Sequence, residues 1–207
     1  FGNPSDRAFF NPKDWIAYRK QLGDFKKWKP VTACIMTFNP DWFHLIKEKF
    51  PDVGKYPRGI HIFRVGRRRI AAQHVSVGAA KAGINLEILI ALGAKRFITI
   101  GSAGALQPPL STGHICIPTR AIRDEGTSYH YQKPSTYSYP DRRLAKRVMT
   151  KLDRQGIAYS AGTTWTTDAP YRETLRKIRT YRKEGCLTVE MEAASLFAIA
   201  AFRKVRL

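Results

Sequence analysis

From about residue 31 onward, short apolar runs rich in β-branched and aromatic residues alternate with longer stretches whose apolar residues recur every three or four positions. This alternation constrains the fold most, because strands separated by helix-length segments pair in parallel through crossovers that lay helices on the sheet. The segments 31–38, 60–65, 69–75, 97–100, 114–118, 158–167 and 187–190 read as strands. Helices are expected around 14–22 and over 41–50, 78–93, 140–155, 171–184 and 192–203. Gly66 and the arginines after it mark a turn, and alternation puts Ile60, Ile62 and Arg64 on one face of the preceding strand, with His61, Phe63 and Val65 on the other. Ala80, Ile84, Glu87, Ile88 and Leu92 share a helix face closed by a Gly93 cap, and Leu144, Val148 and Leu152 mark the core side of a basic helix. The expected architecture is α/β, a mainly parallel sheet with helices on both faces.

A chain of 207 residues supports one sizeable core and favours one domain over two. No run of about 18 apolar residues is present, so no membrane span is expected, and residues 1–30 lack the apolar core of a signal peptide. Those thirty residues, rich in Pro, Gly, aromatics and charge, read as an N-terminal extension. Cys34, Cys116 and Cys186 are odd in number, far apart and flanked by apolar residues, with no metal-ligand spacing. They read as buried free thiols in a reducing compartment such as the cytoplasm, and no metal site is expected.

Charge is the anomaly. Lys and Arg total 36 against 16 acids, a net charge of +20, far more than a small-molecule site requires. The excess collects in Lys26-Lys27-Trp28-Lys29, Arg67-Arg68-Arg69, Arg142-Arg143 with Lys146-Arg147, Arg172 to Arg182, and Arg203-Lys204. A polyanion partner such as nucleic acid and a merely solvated basic surface both remain open.

Three stretches at expected strand ends carry chemistry, and in sheets of this kind ligands bind at the carboxyl ends of strands. In Thr99-Ile100-Gly101-Ser102-Ala103-Gly104, small residues let backbone N–H groups approach an anion and Ser102 adds a hydroxyl; a tight turn is the plainer alternative. In the stretch from Gly162 to Glu173, Trp165 offers either a stacking face for a base or plain core packing, and Asp168 can accept backbone N–H bonds at the turn. In Val189-Glu190-Met191-Glu192, two acids at the junction of an apolar strand and a helix are costly to bury unpartnered. A carboxylate there suits a pair of vicinal sugar hydroxyls, whereas favourable charge at a helix N-terminus explains Glu192 better than Glu190.

These three stretches, in this order and spacing, resemble the nucleoside phosphorylases that act on purine nucleosides and uridine. The resemblance runs from about Val31 to the end and rests on Val189-Glu190-Met191-Glu192-Ala193-Ala194, Thr166-Thr167-Asp168 with Tyr171, and Ile100-Gly101-Ser102-Ala103-Gly104-Ala105. Val77-Gly78, Glu87-Ile88-Leu89 before Leu92-Gly93, and the stretch from Ala121 to Tyr131 support it. It implies a mixed central sheet in a three-layer α/β sandwich, assembly into dimers or hexamers, no cofactor, and inorganic phosphate as co-substrate with the nucleoside. By position, Gly101 and Ser102 would face phosphate; Ala103, Gly104, Trp165, Val189, Glu190, Met191 and Glu192 would surround the nucleoside, with Glu192 on the ribose hydroxyls and Arg172 near the base.

The pattern also departs from the family. Thr99 stands where an arginine grips phosphate, and Thr37-Phe38-Asn39-Pro40-Asp41 stands where a Gly-Asp-Pro-x-x-Arg phosphate loop is expected. Arg58 and Arg64 are the candidate substitutes. The family's last strand and helix, and the acid that protonates a leaving purine, fall beyond Leu207, so the domain reads as 31–207 without them and no catalytic acid is assigned. Two functions follow: phosphorolysis of a nucleoside, or a non-catalytic protein on the same scaffold that binds RNA or another polyanion, such as a ribonucleoprotein subunit.

Overall fold

The computed structural model describes residues 3–25, 28–53 and 59–207, and its contacts divide into two compact units. The first comprises residues 5–76 and 84–102, and the second is built mainly of 77–83 and 103–207. Hydrogen bonding follows the same division, with a four-stranded sheet and a five-stranded one, both mixed and flanked by helices.

The first unit contains β1 (Ala33–Thr37), β2 (Ile60–Val65), β3 (Arg68–His74) and β4 (Phe97–Ile100), in the order β2-β3-β1-β4. β3, β1 and β4 run parallel, which brings Thr37, His74 and Ile100 level at their carboxyl ends. β2 is antiparallel on the edge, and Gly66 turns the chain with φ of 57°. Ile60, His61, Ile62 and Phe63 are all buried while Arg64 and Val65 are exposed, so position along the strand decides burial more than face does. Helix α1 (Pro12–Gln21) starts two residues earlier than expected, because Asn11 caps it and Asp14 closes the capping box from its third position. Helix α2 (Pro40–Lys49) is capped by Asn39, whose side chain accepts from the N–H groups of Asp41 and Trp42.

Helix α3 (Ala79–Ala91) lies between Gly78 and Gly93, both at positive φ. Of its expected face, Glu87, Ile88 and Leu92 are buried but Ala80 and Ile84 are exposed, and Ala79, Ala82, Leu86 and Leu89 complete the buried side. The helix is apolar almost all round, so a three-to-four spacing fits several faces equally well.

The second unit contains β5 (Gly104–Ala105), β6 (Ile115–Asp124), β7 (Tyr137–Ser138), β8 (Tyr159–Thr167) and β9 (Cys186–Glu190), in the order β5-β9-β8-β6-β7. The three central strands are parallel and the two short edges antiparallel. β6 runs six residues past Pro118, where the sequence suggested an end, because the register shifts between Pro118 and Arg120. A bulge is a place where proline's missing donor does no harm. A second shift on the far side of β8 lies between Thr163 and Thr164, which leaves Leu187 unpaired. Gly162 makes room for it, since a Cβ there would lie 2.6 Å from Leu187 Cδ1.

The segment expected as one helix over 171–184 is two pieces. Pro170–Arg172 forms a single 3₁₀ turn, and Thr174 then caps helix α5 (Leu175–Lys183) by accepting from Lys177 N–H. Helix α4 (Arg142–Arg154) is capped by Asp141 and presents Leu144, Val148 and Leu152 to the sheet, each half-buried. Helix α6 (Ala193–Phe202) is buried from Ala194 to Ala200, and Gly83 lets it pack closely: a Cβ at 83 would meet Ile199 Cδ1 at 2.9 Å. Cys34 and Cys186 are buried free thiols, and burial raises the Cys34 pKa and pushes that of Cys186 up to about 11; Cys116 is only half-buried. No helix among the described residues is long and apolar enough to cross a membrane.

Candidate functional site

A network of polar contacts lies in the second unit where β8 and β9 end and α6 begins. Parallel pairing sets Trp165 beside Val189 and Thr166 beside Glu190, while β5 sets Gly104 against Val189 from the other side. Gly104 is required by that approach, because a Cβ on it would lie 2.9 Å from Val189 Cγ1.

Glu190 works as a remote helix cap. One carboxylate oxygen accepts from the N–H groups of Glu192 (2.7 Å) and Ala193 (2.6 Å), and the other accepts from Thr166 Oγ1 (2.5 Å). Thr166 Oγ1 in turn accepts from Ala194 N–H at 2.9 Å. Two strand-end side chains therefore satisfy three of the orphan donors that open α6, and Glu192, at the cap position itself, makes no side-chain cap bond. Burial pushes the Glu190 pKa up to about 7 against the pull of the Thr166, Ala193 and Glu192 donors, and the nearby Glu192 carboxylate adds to the rise.

Glu192, thus released from capping, is 7% exposed and turns to the start of α3, where its Oε1 accepts from Gly78 N–H at 2.5 Å. Gly78 has φ of 106°, a backbone region that side chains rarely tolerate. The carboxylate sits at the positive end of a thirteen-residue helix. Burial raises the Glu192 pKa, and bonds from the Gly78 and Met191 N–H groups oppose that rise. Met191 is half-buried and Val189 almost fully so, Val189 within the apolar core around Trp165.

Trp165 does not present a stacking face. It is fully buried in a core of Leu106, Ile122, Cys186 and Val189, its ring 4.9 Å from that of Tyr181. Its Nε1 donates to Asp124 Oδ2 at 2.9 Å, and Lys177 Nζ donates to the same oxygen at 2.6 Å. An apolar strand end flanked by Leu, Ile and Val buries the largest ring available, and a buried indole N–H needs a partner. Trp165→Phe is expected to lower stability by about 1–3 kcal/mol, through the lost hydrogen bond and volume. Urea unfolding checks this; unchanged stability would count against the core role.

The remaining expected residues divide between the units. Gly101 and Ser102 follow β4 in the first unit and are exposed, with Gly101 kept small by the Phe38 ring, 3.1 Å from where a Cβ would lie. Asn39 already occupies the N–H groups of Asp41 and Trp42 at the start of α2, so no anion is needed to satisfy them. Arg64 pairs with Arg69 on the outer edge, with β3 and β1 between it and β4 and at the opposite end from the Gly101 turn. It therefore does not replace the missing arginine within its own unit; Arg58 lies outside the described residues.

In the second unit Ala103 and Gly104 are exposed, as is Arg172 on the Pro170–Arg172 turn. Asp168 does accept a backbone N–H, reaching across to Gly126 at 2.8 Å. Sequence reasoning missed two supports. Thr166 reads only as part of the Thr166-Thr167-Asp168 turn, and nothing local shows that its hydroxyl bridges Glu190 and the Ala194 N–H. Arg123 holds the 124–136 loop through Ser128 Oγ, Ser135 Oγ and the carbonyls of Gln132 and Lys133, and its burial, though offset by Tyr129 and Glu125, lowers its pKa. The only signal for Arg123 was a cation amid the apolar strand residues 121–122.

Residues 32–207 match the sequence profile described as the Phosphorylase superfamily. The chain is 29% identical over 144 residues to a uridine phosphorylase of Thermococcus kodakarensis, covering 63% of this chain and 52% of the relative. It is 32% identical over 143 residues to a purine nucleoside phosphorylase DeoD-type of Caldanaerobacter subterraneus, covering 65% of this chain and 59% of the relative. The chain thus spans between about half and three fifths of the length of these curated relatives. The crystal structure of a uridine phosphorylase from Vibrio fischeri superposes with a TM-score of 0.76 at 27% identity, covering 88% of this chain and 78% of that one. With the profile matched over residues 32–207, the chain belongs to the phosphorylase superfamily.

Proposed function

We propose that this chain acts on a purine or pyrimidine nucleoside, cleaving it with inorganic phosphate to a free base and a pentose 1-phosphate, without a cofactor. The observation that carries the reading is Glu192, a buried carboxylate anchored on the Gly78 N–H and excused from capping its own helix by Glu190 and Thr166. A carboxylate offers about four acceptor positions, so after its backbone bonds it retains capacity for two vicinal ribose hydroxyls. Nucleoside phosphorylases of both base classes stand among the relatives, so the base is left open.

In this reading the protein positions and the phosphate reacts. A phosphate oxygen forms the new bond to C1′ as the bond from C1′ to the base nitrogen breaks, and the electron pair leaves with the base, which takes up a proton. Glu192 fixes the ribose, Met191 and Val189 give it an apolar wall, and Gly104 keeps the backbone close. Gly101 and Ser102 are the proposed phosphate donors; with Thr99 in place of an arginine, their grip is weaker than a bidentate one. Arg172, on its exposed turn, is the proposed base contact. Homo-oligomers are the proposed assembly. Holding reactants in line supplies most of the acceleration available to such a site.

The test is direct. Uridine, inosine, guanosine and adenosine are incubated separately with the protein and phosphate, and free base is followed by chromatography. Phosphate-dependent release from at least one is expected; no release from any of them by folded protein overturns the proposal.

A further inference from the structure

The basic charge is less scattered than the sequence suggested. Helix α4 carries six basic residues against the single acid Asp153, and α5 carries five with no acid. Each helix is thus net +5, and together their 22 residues hold half of the chain's +20. Among the described residues only one of these eleven cations, Lys177, has an ion-pair partner, Asp124. Arg142, Arg143, Lys146, Arg147, Lys151 and Arg154 are all exposed on α4, as are Arg176, Arg179, Arg182 and Lys183 on α5. Ten cations without an ion-pair partner repel one another, and only Asp153 on α4 and Glu184 beyond α5 lie among them.

A cavity of about 580 Å³ opens between the first turns of α4 and the turn that follows α5. Arg120, Tyr139, Arg142, Met149, Thr163 and Glu184 line it. Arg120 is held in place: its Nε donates to Thr163 Oγ1 at 2.8 Å and its guanidinium lies 4.4 Å from the Tyr137 ring centre. Tyr139 is 48% exposed and offers an aromatic ring to solvent. Glu184, the one acid in the lining, suits a base amino group or a ribose hydroxyl better than a phosphate.

We propose that this cavity and the basic helices beside it form a binding site for single-stranded nucleic acid, with phosphates along α4 and α5 and an unpaired base on Tyr139. The electrostatic part follows from charge complementarity, since Lys and Arg that neutralise phosphates release condensed counterions. Preference for a single strand follows from the cavity: its volume suits one or two nucleotides, and a ring can stack only on a base whose face is free. The site lies apart from the strand-end carboxylates and does not rest on the phosphorolysis reading.

Fluorescence anisotropy of the full chain with a labelled single-stranded RNA of roughly 12 nucleotides, its duplex, and heparin as competitor tests this. The single strand is expected to bind more tightly than the duplex and to weaken about a hundredfold between about 50 and 200 mM salt. Tyr139→Ala is expected to weaken it about 5- to 100-fold at fixed salt. Arg143→Glu, Arg147→Glu and Lys151→Glu together should weaken binding and flatten the salt dependence. The control is Lys13→Glu, Lys20→Glu and Lys49→Glu on α1 and α2, which changes net charge equally. Thermal unfolding shows whether each variant is folded. Absence of binding, a control as damaging as the α4 variant, or equal binding of duplex with no effect of Tyr139→Ala would each overturn the proposal.

Discussion

Under the proposed phosphorolysis, Glu192→Ala is expected to lower kcat/KM for a ribonucleoside by about 10²–10⁴, because two hydrogen bonds from sugar hydroxyls to a charged acceptor are each worth about 1.5–3 kcal/mol. The same substitution costs less with a 2′-deoxyribonucleoside, which has only one of the two hydroxyls to lose. That difference separates a ribose contact from general damage. Glu192→Ala also strands the Gly78 N–H, so a structural contribution must be removed from the comparison. Glu192→Gln does this, since its amide oxygen can still accept from Gly78 while the charge is gone. Glu192→Gln is expected to remain folded and to lose most of the activity. Equal losses on ribo- and deoxyribonucleosides, or full activity in Glu192→Gln, would remove Glu192 from the sugar.

The second large effect concerns pH. The Glu190 carboxyl, with a pKa near 7 in the folded chain against 4.5 for the ordinary group, holds a proton in the folded state over a range where the unfolded chain has released it. The folded state then binds more protons than the unfolded one, so stability falls as pH rises through this window. The contribution is fully present below about pH 4.5 and gone above about 7, an upper bound of roughly 3 kcal/mol from the size of the shift. Glu190→Gln, which cannot titrate, is expected to flatten the profile between these limits while keeping the cap, since its amide oxygen can accept from Glu192 and Ala193 N–H. Urea unfolding of both proteins at intervals from pH 5 to 8 provides the measurement. If Glu190→Gln and the unaltered protein show parallel pH profiles, the carboxyl is ionised throughout and the burial argument is wrong.

Much of the fold was legible because strand and helix periods differ, and all three strand-end motifs do lie at carboxyl ends of parallel strands. Three features were not. Pro118 read as the end of a strand because a proline interrupts a ladder, and only the pairing with β8 shows that a bulge absorbs it. Pro170 and Thr174 contain the stop and start signals that break the expected helix over 171–184, but its run of charges at helical spacing masked them. The face of α3 was ambiguous because the helix is apolar all round. At the candidate site, Glu192 was placed correctly relative to β9, but its partner Gly78 lies 114 residues away in sequence and no local pattern links them. Trp165 was open between two roles, and burial with a satisfied N–H decides for the core.

The two irregularities on either side of β8 have a joint meaning. β6 gains a residue on β8 at Thr119 and β9 gains one at Leu187, both next to Thr163. Because side chains alternate with a period of two, one extra residue inverts the parity of everything downstream. The sheet is therefore two sheets in phase terms, joined along a seam at Thr163. On the carboxyl side of that seam the inverted parity puts Asp124 in reach of Trp165 and Glu190 in reach of Thr166. Both outer strands slip together, so the seam acts as one shared frame shift rather than two local faults. The cavity beside α4 lies on this seam, lined by Thr119, Arg120, Gly162 and Thr163, while the carboxylates lie downstream in the shifted frame.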